Sequence, residues 1–349
     1  MSHSLQNHAA RDRAIDVAKG LGMLLVIFGH TNYQEPGLTI IYSFHMPLFF
    51  AISGMLFGGD RYPTFGAFLR RKVKTLIVPF LLYAAVTLVF TGAVELLEHG
   101  FSEGYLPDML KTAGRSLVAR RSADFPYNAP LWFVPCLFLV ECGYYLLSRI
   151  RSKPMRIAVI AAVFAGGWAL VATRVLYRYT VWNFPAAMIA LAFFAAGHLL
   201  FAPVCARLIE RRWSRPKWAL VALAGLALTV PVALLNVGEE HVSLGSDVVN
   251  FAPLLLVSGV CGSVFVLAAS RLFTARWVEY IGRNSFDFMA IQALVRTGFT
   301  FALTRLTGAD FWQVNTDYRY TLPAFAVVLF GTWAIVAVKN AVLRKVKKA

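Results

Sequence analysis

Runs of about twenty mostly apolar residues, separated by short polar stretches, recur along the whole chain. They fall at 14–32, 38–58, 75–94, 130–148, 155–173, 181–201, 217–235, 250–270, 285–304 and 321–339. None alternates apolar and polar positions with a period of two, as a barrel strand would. In lipid a backbone must satisfy its own hydrogen bonds, which leaves helices as the economical reading. The pattern predicts an all-α, polytopic transmembrane helical bundle of about ten spans. Residues 1–349 form a single membrane domain, with one longer extracytoplasmic connection at about 95–129 that could cap it.

Composition agrees: 58% of residues are hydrophobic and 15% charged, where a soluble domain carries about 25% charged residues. The net charge of +16 invites a nucleic-acid reading, but the cations sit in short loops between apolar runs and form no stripe with aromatic partners. Clusters at the amino terminus from Arg11, at Arg70–Lys74, Arg149–Arg156, Arg207–Lys217, Arg271–Arg283 and Arg344–Lys348 all share one side if the spans alternate. Both termini are then expected in the cytoplasm, with the bilayer as one partner and nucleic acid excluded. Lys111, Arg115, Arg120 and Arg121 run against this rule and suit either an external anionic ligand or an amphipathic surface helix. The four cysteines form no CxxC pair and read as small buried apolar groups. The first apolar run ends in GHTN rather than a small-residue cleavage site, so it is expected to stay as a span.

The chemistry concentrates in RDRAIDVAKGLGMLLVIFGH, residues 11–30. On a helix Lys19 and His30 lie eleven residues apart, three turns plus about 20°, so both project from one face roughly 16 Å apart. His45 follows on the second span, just before Pro47, which is expected to kink that helix. Each histidine is a candidate catalytic group or a hydrogen-bonded packing residue. Asp16 can pair with Lys19. Arg70, Arg71, Lys72 and Lys74 suit the phosphates of a nucleotide-like ligand or the flank of a span. Glu141 and Arg296 lie deep in spans four and nine, where charge needs a partner or a water-filled cavity. They read as an ion pair or as pocket residues. Ser285, Gln292, Arg296 and Thr300 give span nine a polar stripe. No metal is implied, because no ligand cluster has suitable spacing.

The motifs IDVAKGLGMLLVIFGH, FHMPLFFAISGMLF and RRKVKTLIVPF, in that order, resemble the acyltransferase-3 family of membrane acyltransferases, in particular its fucose 4-O-acetylase-like branch. LWFVPCLFLVE, ALAFFAAGHLLF and YIGRNSFDFMAIQAL extend the likeness over nearly the whole membrane domain. By this resemblance His30 is catalytic and Lys19, at a position where the wider family carries arginine, belongs to the acyl-donor side. The chain departs from the pattern at Gln292, where a histidine often stands. The resemblance implies an O-acetyltransferase of the bacterial inner membrane that carries acetyl from acetyl-CoA to a glycan or lipid-linked oligosaccharide. No cofactor is bound permanently, and other polysaccharide-assembly proteins are further partners. The rival reading is a transporter or flippase for a lipid-linked sugar.

Overall fold

The computed structural model describes residues 12–31, 34–101, 103–175, 179–272 and 275–346. Arg11, Asn32 (the last residue of the first predicted span), Lys347 and Lys348 lie outside the described residues. The helices are α1 (Arg13–Thr31), α2 (Gly37–Tyr42), α3 (His45–Met55), α4 (Phe65–Lys72), α5 (Val78–His99), α6 (Tyr105–Val118), α7 (Phe133–Ser148) and α8 (Lys153–Thr173). There follow α9 (Phe184–Ala196), α10 (Ala202–Glu210), α11 (Arg215–Leu235), α12 (Ala252–Ala269), α13 (Arg276–Arg283), α14 (Ser285–Thr307), α15 (Phe311–Thr316) and α16 (Tyr318–Val346). Among the described residues nine helical stretches are long and apolar enough to cross a membrane, and the chain is an all-α, multi-pass membrane bundle. The tenth expected span, α14, has the length but carries Asp287, Arg296 and Arg305 and is too polar to count with the others.

Local chemistry sets the boundaries. Proline in the first turn, where its missing N–H costs nothing, opens α8, α9, α11 and α12. The Ser152 hydroxyl caps α8 by accepting from the Met155 N–H at 3.4 Å. Two spans contain a π-turn, Val73–Ile77 and Gly197–Phe201. Each is followed two residues later by a proline, Pro79 or Pro203. Proline removes the hydrogen bond to the carbonyl four residues back, and the wider turn accommodates its ring. The break expected near Pro47 falls at Ser43–Phe44, ahead of the ring, which bars a bond to the Ser43 carbonyl.

Close backbone crossings fix the two helices that matter most. A Cβ on Gly282 would lie 1.7 Å from the Asp16 carbonyl oxygen, and one on Gly20 would lie 2.1 Å from that of Val278, so α13 rests directly on α1. Gly54 and Gly197 pair α3 with the α9 span in the same way, each 1.9 Å from a partner carbonyl by that measure. Small residues at such crossings are how membrane helices gain dispersion contact without a hydrophobic drive. Ion pairs tie the start of α1 to its neighbours: Asp12 with Arg271 at 2.6 Å, Arg13 with Glu279 at 2.8 Å and Asp16 with Arg283 at 3.4 Å.

Candidate active site

A cavity of about 480 Å³ runs through the bundle along the Lys19–His30 face of α1. One end is lined by Lys19, Lys72, Glu141 and Ser285. The other is lined by His30, Tyr42, His45, Trp132, His241 and a group of serines. α14 runs beside α1 in the same direction. Ser285 stands at the Lys19 end, and Arg296, eleven residues on, donates from Nη1 to the His30 carbonyl at 2.7 Å. A cation on that carbonyl holds the last turn of α1 against α14 and fixes the depth of His30.

Around His30 the groups are aromatic and hydroxylic. Its Nδ1 lies 3.3 Å from the Tyr42 hydroxyl. The Tyr42 ring stands edge-on to His45 and to His241, both with centroids at 4.8 Å. At the break between α2 and α3 the Ile41 carbonyl accepts from the Phe44 N–H at 3.2 Å and from His45 Nδ1 at 2.8 Å. A neutral His45 is therefore the Nδ1–H tautomer, with its lone pair on Nε2. His45 is buried, whereas His30 is half-buried on the cavity wall. His241, from the connection between α11 and α12, sits 3.9 Å from Glu35, and burial lowers its pKa below the ordinary histidine value.

At the Lys19 end, Lys19 is 3.9 Å from Asp16, which Arg283 shares. Lys72 forms an ion pair with Glu141. The expected pair of Glu141 with Arg296 is thus not formed. Arg296 lies at the histidine end and takes the His30 carbonyl, while Lys72, the last residue before the first π-turn, reaches Glu141. Of the four clustered cations only Lys72 lines the cavity, and Arg70, Arg71 and Lys74 are exposed. Gln292 is fully buried, and neither its amide nitrogen nor its oxygen has a hydrogen-bond partner among the described residues. Among the described residues no group of three or more His, Cys, Asp or Glu side chains could hold a metal.

Sequence reasoning missed Tyr42, His241, Trp132 and the serines. Tyr42 had a usable signal, since it stands three residues before His45 in a helical register. His241 had none, because loop residues carry no periodicity.

Beside the cavity, the connection at 95–129 contains the amphipathic α6 and a half-buried turn in which Arg120 pairs with Asp124 at 3.3 Å. Arg121 faces Asp247, and burial holds the Asp247 carboxyl well above its ordinary value, at about 7, against the opposing pull of Arg121. The folded state then binds a proton that the unfolded state releases between about pH 4 and 7. Stability contributed at Asp247 is greatest below that window and is lost as pH rises through it. Asp247→Asn is expected to stabilise the protein relative to wild type at pH 8 and to leave it unchanged at pH 4, read as the difference in thermal unfolding. An equal difference at both pH values would refute this account.

The chain matches the family described as an acyltransferase domain over residues 12–339 and belongs to that family, the acyltransferase-3 group. Among curated proteins it is similar to nodulation protein NolL of Mesorhizobium japonicum, with 25% identity over 250 residues, 66% of this chain and 57% of that protein. It is also similar to succinoglycan biosynthesis protein ExoH of Rhizobium meliloti, with 30% identity over 120 residues, 33% of this chain and 32% of that protein. The aligned regions thus span about half of the first relative and a third of the second. No solved structure matches the chain.

Proposed function

We propose that the protein is an O-acyltransferase of a bacterial inner membrane, moving acetyl from cytosolic acetyl-CoA to a sugar hydroxyl of a surface polysaccharide or its lipid-linked precursor. The observation that carries this reading is one cavity with Lys19 and Lys72 at one end and His30 at the other. By the bias of basic loops the Lys19 end faces the cytoplasm, as do both termini. There the ammonium groups suit CoA phosphates, and the pantetheine arm would extend along α1 toward His30. Family membership supports acyl transfer, and a relative named for succinoglycan biosynthesis supports a polysaccharide acceptor.

In the simplest chemistry, neutral His30 accepts the proton of the acceptor hydroxyl as its oxygen attacks the thioester carbonyl. The C–O bond forms, the C–S bond breaks, and the thiolate leaves with a proton returned from the imidazolium. Tyr42 orients the ring through Nδ1, which puts Nε2 to work when Nδ1 carries the proton. His45 packs against the Tyr42 ring, and Arg296 holds the last turn of α1 in register.

The test uses inside-out vesicles carrying the full-length protein, supplied with acetyl-CoA labelled in the acetyl group. Labelled glycan should form, and right-side-out vesicles should form none. Label appearing only from the opposite face would reverse the orientation. Movement of the lipid-linked sugar without label would instead identify a transporter.

A further inference from the structure

The histidine end of the cavity carries polar groups that the transfer chemistry does not use. Three hydroxyls from two connections distant in sequence meet on its wall. The Ser246 Oγ lies 3.1 Å from Ser122 Oγ and accepts from Ser243 Oγ at 3.1 Å. We propose that Ser122, Ser243 and Ser246, with His241 and Trp132 beside them, bind an uncharged sugar ring of the acceptor. This rests on the acyltransferase reading above.

The group is held in place independently of any ligand. Ser243 and Val248 exchange two backbone hydrogen bonds, at 2.7 and 3.0 Å, which close the loop. Asn183, buried, donates from its amide to the carbonyls of Leu244 at 3.1 Å and Gly245 at 3.3 Å. Gly245 packs closely against the Trp132 indole, since a Cβ there would come within 2.5 Å of Nε1. Loop and ring therefore form one preformed wall.

Charge selects the ligand class. The lysines that line the cavity are Lys19 and Lys72, and both belong to the other end. Arg120 and Arg121, the nearby cations of the outer connection, face Asp124 and Asp247 and are absent from the lining. Among the described lining residues of this end a carboxylate or sulfate on the acceptor would find no lysine or arginine, and burial holds His241 toward its neutral form, whereas neutral hydroxyls suit serine. Each serine hydroxyl offers one donor and two acceptor sites. The two mutual bonds consume two donors, leaving an O–H and several lone pairs for neighbouring sugar hydroxyls. The Trp132 ring lines the cavity beside them.

The experiment compares two oligosaccharide acceptors, one of neutral hexoses and one with a uronic acid at the acetylated residue, using full-length protein in lipid nanodiscs with labelled acetyl-CoA. Wild type should prefer the neutral acceptor. Ser246→Ala, which removes the central hydroxyl, should raise the acceptor KM by about tenfold with the acetyl-CoA KM unchanged, and Ser246→Thr should recover most of the loss. An unchanged donor KM also certifies that the variant is folded. A wild type that transfers to both acceptors alike, or a Ser246→Ala variant whose acceptor KM is unmoved, overturns the sugar site and leaves the enzyme reading standing. A wild type that transfers to neither overturns both.

Discussion

Replacing His30 with asparagine or glutamine is expected to lower acyl transfer by about 10²–10⁴-fold, the usual contribution of a positioned base, while expression and membrane insertion stay normal. Both amides copy the polar bulk of an imidazole but offer no basic nitrogen near neutral pH. The half-buried position of His30 on the cavity wall makes the substitution sterically mild. Tyr42→Phe should cost far less, because the ring keeps its edge contacts with His45 and His241. The wild-type rate should also fall at acid pH, since an imidazolium has no lone pair to give. Quenched-flow labelling of purified protein with radiolabelled acetyl-CoA would separate a base from an acyl carrier, which alone retains label. A folded His30→Asn protein that acetylates at the parent rate would transfer the role to His45, whose free Nε2 is already fixed by its bond to Ile41.

The second large effect lies at the other end. Lys72→Met leaves the Glu141 carboxylate, 7% exposed, without its cation deep in the bundle. Breaking one side of a buried pair costs about 3–5 kcal/mol, unless the carboxyl takes up a proton. Lys72→Met/Glu141→Leu should recover most of that loss, because a buried pair is often no better than two apolar side chains. Thermal unfolding in nanodiscs reads both. Activity then divides structure from function: if Lys72 contacts the donor, the double variant regains stability but keeps a raised acetyl-CoA KM. Recovery of both together would make Lys72 purely structural.

These residues show what sequence discloses and what it hides. Lys19 and His30 share a face because eleven residues is close to a whole number of turns, a property internal to one helix. That relation survives folding, and both line one cavity. The partner of a buried charge is a different kind of fact. Glu141 and Arg296 suited each other in sign and depth, yet α7 meets Lys72 and α14 meets the end of α1. Helix adjacency decides this, and no spacing within a span encodes it. α14 reads as a span with a polar stripe, and its marginal apolarity follows from Arg296 and Asp287 being used inside the bundle. The serines and His241 come from loops, where neither period nor propensity marks a residue as part of a wall.

The glycine contacts of α1 have a consequence for how such a reaction would proceed. With the Gly282 backbone against the Asp16 carbonyl and Gly20 against that of Val278, α1 cannot slide along α13 without driving main chain into main chain. The eleven residues from Lys19 to His30 then behave as a ruler of fixed length. In the acyl transfer proposed above, the travelling part would be the donor's own flexible arm, and the protein the gauge against which that arm is measured.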